Sequence, residues 1–107
     1  MATARTTRIK TLRGDILQFL YNLNGTTVAE KSIVQAYYEY YTIEDLRKAL
    51  SYLVESKYIT KDERQHPVFV LTKESFYKIT ATGMNIVEGD RQDAGVAIMP
   101  ELKEADR

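Results

Sequence analysis

The stretch from residue 42 to residue 59 constrains the fold more than any other part of this chain. Its apolar residues, Leu46 and Leu50 among them, recur at three- and four-residue spacing, so one stripe of a helix is apolar. Thr42 precedes Asp45 by three residues, which is typical of a helix start, because the hydroxyl accepts a backbone N–H and the carboxylate suits the helix dipole. The β-branched and aromatic residues that follow favour a strand. We predict an amphipathic helix that leads directly into a β-hairpin.

The composition narrows the class of protein. A chain of 107 residues with 44% apolar and 28% charged residues is typical of one globular domain. It contains neither an apolar run near the ~20 residues of a membrane span nor the apolar core of a signal peptide, so we predict a cytoplasmic protein that does not bind membranes. There is no cysteine, and His66 is the only histidine. Without a ligand cluster, a glycine-rich phosphate loop or a catalytic triad, we predict no enzymatic activity, metal or cofactor.

The charge is unevenly distributed although its total is zero. Residues 1–87 hold 12 Lys and Arg against 9 Asp and Glu, whereas residues 88–107 hold 3 against 6. The first 14 residues carry only positive charges, at Arg5, Arg8, Lys10 and Arg13. These cations are suited to contacting phosphates, or they simply keep a solvated N-terminus soluble.

Two helices are predicted before the one at Thr42. The first runs from Arg8 to about Asn24, where an Asn-Gly pair is a plausible left-handed stop. The second runs from about Val28 to Glu39 and begins with a capping box formed by Thr27 and Glu30. Only a few residues separate it from the helix at Thr42, which favours a helix-turn-helix layout.

The second half of the chain predicts a small antiparallel sheet. Its strand candidates are Tyr58–Asp62, Val68–Leu71 and Phe76–Ile79. Thr80 is then placed to cap a short helix that ends near Gly89.

The last part of the chain has a different composition. Residues 91–107 are predicted to be an acidic tail that is largely extended or disordered. The apolar patch Val96–Met99 is the exception, which could dock on the body or on a second subunit.

Two phrases in the sequence resemble the winged-helix superfamily. YTIEDLRKALSYLVESKYI is similar to its third-helix signature, and FYKITATGMNIVEGD is similar to a second wing strand followed by a short helix. The resemblance covers residues 8–90 and is typical of small bacterial and phage transcriptional regulators. It implies an α+β winged helix-turn-helix fold with a three-helix core, an antiparallel hairpin wing and a short C-terminal helix. Residues 1–7 would then be a flexible basic arm.

The resemblance also implies a DNA site. The third helix would enter the major groove of double-stranded DNA and the wing would touch the adjacent backbone or minor groove. The residues it implicates on the helix are Thr42, Arg47, Lys48, Ser51 and Tyr52, those in the wing are Lys61, Arg64, Gln65, His66 and Lys73, and Lys31 and the basic residues Arg5, Arg8, Lys10 and Arg13 would add phosphate contacts.

Other features point to a different function. Glu44 and Asp45 lie where the helix would meet DNA, and carboxylates repel phosphates. Four tyrosines stand among five residues, which suits core packing or a subunit interface, and they are Tyr37, Tyr38, Tyr40 and Tyr41. The sequence therefore supports two hypotheses. One is a DNA-binding regulator that acts as a homodimer, and the other is a protein-interaction module, such as a phage or mobile-element accessory subunit, without sequence-specific DNA binding.

Overall fold

Helices and short strands alternate along the chain in the computed structural model, which describes residues 4–99. The four helices are α1 (Ala4–Asn22), α2 (Glu30–Tyr37), α3 (Ile43–Glu55) and α4 (Ala81–Glu88). The three strands are β1 (Val28–Ala29), β2 (Ile59–Gln65) and β3 (Lys73–Ile79), and they form one antiparallel sheet in the order β1-β3-β2. This confirms the predicted α+β class. None of the helices within residues 4–99 has the length and apolar character needed to cross a membrane.

The core lies between α1, α3 and the sheet. Leu46, Leu50 and Leu53 form the inner stripe of α3, are fully buried, and confirm the predicted periodicity. They pack in the same cluster as Ile16 of α1 and Ile59 at the start of β2. Burying a side chain of this size stabilises a fold by about 1.5–3 kcal/mol, so this stripe fixes the position of α3.

Side-chain caps define where α3 and α4 begin. The Thr42 hydroxyl accepts the backbone N–H of Asp45 at 3.0 Å, and the Thr80 hydroxyl accepts that of Gly83 at 3.1 Å. Both predicted caps are therefore confirmed. After α3, Lys57 adopts a left-handed conformation with φ +70°, a position that glycine usually takes. The chain thereby turns sharply from α3 into β2.

The segment before α2 differs from the prediction. Val28 and Ala29 pair with Tyr77 and Phe76 of β3, so the chain is still extended where a helix was expected. α2 consequently begins at Glu30, its N-cap is Ala29 without a side-chain cap, and the capping box predicted at Thr27 is wrong. The helix also ends at Tyr37, two residues before the expected end.

The hairpin between α3 and α4, here called the wing, comprises β2, β3 and the turn at 66–72. The predicted strand at Val68–Leu71 is wrong, because these residues form part of the turn at its tip. All four of these apolar side chains are exposed, Phe69 to 65% and Leu71 to 98%. Within the hairpin, β3 pairs with β2, which continues to Gln65 rather than stopping at Asp62.

The N-terminal helix begins earlier than predicted. α1 starts at Ala4 instead of Arg8, so Arg5 lies on the helix and not on the flexible arm expected for residues 1–7. Residues 1–3 lie outside the described part of the chain. At the other end, Asn24 and Gly25 both have positive φ, as expected of the left-handed stop.

Residues 90–99, here called the strap, follow the short C-terminal helix and return to α1. The backbone N–H of Ala97 donates to the carbonyl of Lys10 at 3.1 Å, and Val96 is buried in the core. A Cβ on Gly14 would lie 1.7 Å from the Ala97 carbonyl oxygen, so this close approach requires glycine. Val96 and Ile98 of the predicted apolar patch therefore dock on the body of their own chain, whereas Met99 is exposed. The remainder of the predicted tail, residues 100–107, lies outside the described residues.

Candidate functional site

A groove of about 410 Å³ separates α3 from the wing and contains many of the predicted DNA-binding residues. α3 contributes Arg47 and Ser51, whose side chains are exposed because they lie opposite the buried leucine stripe. The wing contributes Lys61 and Lys73, and the start of α2 contributes Lys31. The fold thus gathers five predicted residues, separated by up to 42 positions, around one opening.

An ion pair at the back of this groove was not predicted. Glu30 accepts a hydrogen bond from Arg47 Nε through Oε2 at 3.1 Å and one from the Tyr77 hydroxyl through Oε1 at 3.0 Å. Burial, followed by the hydrogen bond to Glu30, raises the pKa of Tyr77 above its usual range, so the phenol remains protonated. Glu30 therefore fixes the direction of Arg47 and also offsets its charge.

The charges of the wing are mostly neutralised by their own neighbours. Lys61 pairs with Glu63 at 3.4 Å, and Arg64 pairs with Asp62 at 2.8 Å. Lys73 has no ion-pair partner among the described residues. Of the wing residues predicted to contact DNA, only Lys61 and Lys73 line the groove.

Three other predicted wing residues build the hairpin instead. His66 Nδ1 accepts the backbone N–H groups of Val68 and Phe69, and His66 Nε2 lies 3.3 Å from Glu74. Gln65 donates to the Val70 carbonyl across the turn. Arg64, besides its ion pair, stacks over the ring of Phe76 at 4.5 Å. These contacts hold the turn in one conformation while its apolar side chains remain exposed.

Tyr52 and Arg13 are held by the strap. The Tyr52 hydroxyl bonds to Asp93 at 3.4 Å, and its ring stacks under the Arg13 guanidinium at 3.7 Å. Arg13 also donates to the Gly95 carbonyl at 3.0 Å. Tyr52, predicted to read bases, is therefore turned toward the strap in this structure and not into the groove.

Asp93 is the centre of this attachment. It accepts hydrogen bonds from the Tyr58 hydroxyl, from the Gly95 N–H at 2.7 Å and from Tyr52. The bond from Tyr58, then that from Gly95, lowers the pKa of Asp93. Burial, followed by the bond to Asp93, raises the pKa of Tyr58 to about 12. A charged Asp93 thus fastens the strap to α3 and to the chain that follows it.

The N-terminal cations lie apart from the groove. Arg8 stacks on Tyr41 at 4.4 Å and donates to the Tyr40 carbonyl. Arg5 and Arg8 line a second opening together with Lys48 of α3. Lys10 lines neither opening, and its backbone carbonyl accepts a hydrogen bond from the strap. The predicted basic residues are therefore divided between two surfaces.

The tyrosine cluster is divided as well. Tyr37 is half-buried against Phe19 and donates to the Asp15 carbonyl at 3.0 Å, and burial raises its pKa to about 12. Tyr41 packs edge-on against Tyr37 with ring centroids 6.4 Å apart. Tyr38 and Tyr40 are exposed. Only these last two offer side chains for a subunit interface.

Among residues 4–99, no group of three or more His, Asp or Glu side chains is arranged to hold a metal ion. The ion pair of Glu30 could not be read from the sequence, because its partner Arg47 is 17 positions away and no local pattern links them. Comparison with known proteins finds no matching family model, no similar curated protein and no similar solved structure.

Proposed function

We propose that this chain is a winged-helix DNA-binding protein that acts as a small transcriptional regulator. The observation that carries the proposal is the groove between α3 and the wing, where Arg47, Lys61 and Lys73 converge. The order of helices and strands agrees with what the resemblance to winged-helix domains implies and adds support at the level of the fold.

In the proposed complex, α3 lies in the major groove and the wing follows the adjacent backbone. α3 has 13 residues and is about 20 Å long, and its exposed face fits a groove about 12 Å wide. Arg47 is the candidate for bidentate contact with guanine, and Ser51, one turn further on, for a single hydrogen bond. Lys61 and Lys73 contact phosphates from the wing, and Lys31 does so from α2.

The charge of the groove sets the expected strength of binding. Four cationic side chains line it against the carboxylates of Glu30 and Glu74. Affinity then depends on a small number of phosphate contacts and falls moderately with salt, by a slope of about 0.9 for each contact. A homodimer would double these contacts, and the exposed Tyr38 and Tyr40 are the candidate residues for its interface.

The test begins with selection of bound sequences from a random duplex pool at physiological salt. Affinity for the enriched duplex is then measured by fluorescence anisotropy at several salt concentrations. Replacing Lys61 and Lys73 by alanine should weaken binding at least tenfold and reduce the salt slope by about 1.8, since the two phosphate contacts proposed for the wing are lost. Replacing Lys78 and Arg91, exposed cations outside the groove, is the matched control and should change affinity less than twofold. Equal effects of the two double variants would contradict this placement of the site.

A second candidate function is supported by the tip of the wing. Val68, Phe69, Val70 and Leu71 are four consecutive exposed apolar residues on a turn that is held by hydrogen bonds to His66. Exposed apolar clusters of this kind are typical of protein interaction sites, and the ion pairs of the wing make it a weak anion binder. This favours the interaction module as the alternative.

The alternative is tested by placing a photo-crosslinking amino acid at position 71 in cells. A discrete protein adduct from this position, absent when the crosslinker replaces exposed Asn22, would support the interaction module. Failure to enrich any sequence from the random duplex pool would add to that support. An enriched duplex with no adduct would favour DNA binding.

A further inference from the structure

A cleft of about 270 Å³ lies between the first half of α1 and the start of α3, here called the α1–α3 cleft. It is distinct from the groove beside the wing. Its floor is apolar, because Leu12 and Ala49 are buried there and Ile9 stands beside them. The volume falls just below the roughly 300–1,000 Å³ of sites for drug-sized molecules, so the cleft suits a smaller ligand.

The rim of the cleft is strongly positive. Four cationic side chains line it, and they are Arg5, Arg8, Arg13 and Lys48. Asp45 is the one carboxylate among the lining residues. Arg5 and Lys48 are exposed and have no ion-pair partner among the described residues, whereas stacking on Tyr41 fixes the direction of Arg8. The rim is therefore suited to binding a negatively charged group.

We propose that the α1–α3 cleft binds a small amphiphilic anion, namely a carboxylate attached to a short hydrocarbon body. The carboxylate lies between Arg5 and Lys48, where charge-assisted hydrogen bonds are strongest, and the hydrocarbon covers the apolar floor. A DNA phosphate fits the α1–α3 cleft less well, because it has no apolar part to cover Ile9 and Leu12. The ligand site is independent of the proposed function, since neither Arg5 nor Ile9 lines the groove.

The test uses octanoate as the probe, titrated below its micelle concentration into the ¹⁵N-labelled full chain. The amide signals of Ile9, Leu12 and Ala49 should move and saturate, while those of the wing tip, residues 66–72, stay in place. 1-Octanol and octylammonium, with the same hydrocarbon but no negative charge, should bind at least about tenfold more weakly. Equal binding of octanoate and 1-octanol, or shifts confined to the wing tip, would overturn the proposal.

The test includes variants that should weaken octanoate binding and one that should strengthen it. Replacing Arg5 and Lys48 by glutamine should weaken octanoate binding at least about fivefold, because both charged contacts are lost. Replacing Lys31 and Lys73 in the groove removes the same charge elsewhere and should change binding less than about twofold. Asp45→Asn should tighten binding by about two- to fivefold, because a repelling carboxylate is removed. Since unfolding cannot tighten binding, an unchanged or weaker affinity in Asp45→Asn would contradict the assignment.

Discussion

Replacing Glu30 by glutamine is expected to strengthen DNA binding, although the residue lies in the candidate site. Its carboxylate accepts from Arg47 at 3.1 Å and from the Tyr77 hydroxyl at 3.0 Å. Glutamine keeps an acceptor for Tyr77 but no longer offsets the charge of Arg47. The groove therefore gains one positive charge without losing the side chain that positions it.

The magnitude follows from counterion release. A net gain of one positive charge in the groove releases about one more counterion from the DNA, which steepens the salt slope by about 0.9 and at 0.15 M salt corresponds to an affinity gain of about fivefold. The cost in stability is small. The Arg47 side chain is 65% exposed and that of Glu30 19%, so the ion pair is partly screened by solvent and contributes about 1 kcal/mol to folding. We therefore expect Glu30→Gln to bind more tightly while its melting temperature falls by a few degrees at most.

The assay is fluorescence anisotropy with the selected duplex, read at several salt concentrations beside thermal unfolding. Glu39→Gln is the matched control, because Glu39 is an exposed acid just after α2 that does not line the groove. It changes the net charge by the same amount and should alter affinity less than about twofold. If the two variants behaved alike, net charge and not the groove would govern binding. If Glu30→Gln weakened binding at unchanged stability, the claim that Glu30 lowers DNA affinity by offsetting the charge of Arg47 would be wrong.

Three further predictions concern the strap and the wing. Gly14→Ala should destabilise the protein by about 1–3 kcal/mol in urea unfolding, because the new Cβ would lie 1.7 Å from the Ala97 carbonyl oxygen; a stabilised variant would show that the strap does not pack there. Asp93→Asn should lower the free energy of unfolding by about 1–3 kcal/mol at pH 7. Because the pKa of Asp93 is lowered by folding, its contribution is present above its ordinary pKa and is lost as pH falls through the lowered value, so the difference in stability between wild type and variant should shrink as the pH falls below the ordinary pKa of an aspartate. Leu71→Ser should change stability by less than about 0.5 kcal/mol in thermal unfolding, since its side chain is 98% exposed; a large loss would mean that the wing tip packs on the body.

The parts of the fold that could be predicted are those fixed by neighbours in sequence. The leucine stripe of α3 and the threonine caps of α3 and α4 depend on residues three or four positions apart, so the pattern contains the whole interaction. The boundaries of α3 and α4 followed from these signals. The docking of Val96 was predictable only as an alternative, because its apolar character does not reveal which surface it covers.

The parts that could not be predicted depend on distant partners. β1 has two residues and exists because β3, nearly 50 positions later, pairs with it. Because β1 is paired with β3, α2 starts later in the chain than predicted and the capping box at Thr27 does not form. Val68–Leu71 has strand-like composition, yet strand propensity mainly reflects a surface on which to pack. In the turn around His66, Val68–Leu71 have no surface on which to pack.

The charge of the candidate site also depends on distant partners. The sequence shows how many cations there are, but the effect of each cation depends on its neighbours in space. Arg64 is offset by Asp62, Arg13 is occupied by the strap, and Arg47 is shared with Glu30. Among the groove cations within residues 4–99, Lys31 and Lys73 have no ion-pair partner. A groove of this kind binds phosphate weakly unless an ion pair opens, so the Arg47–Glu30 contact, more than the number of basic residues, sets how strongly the proposed site can bind DNA.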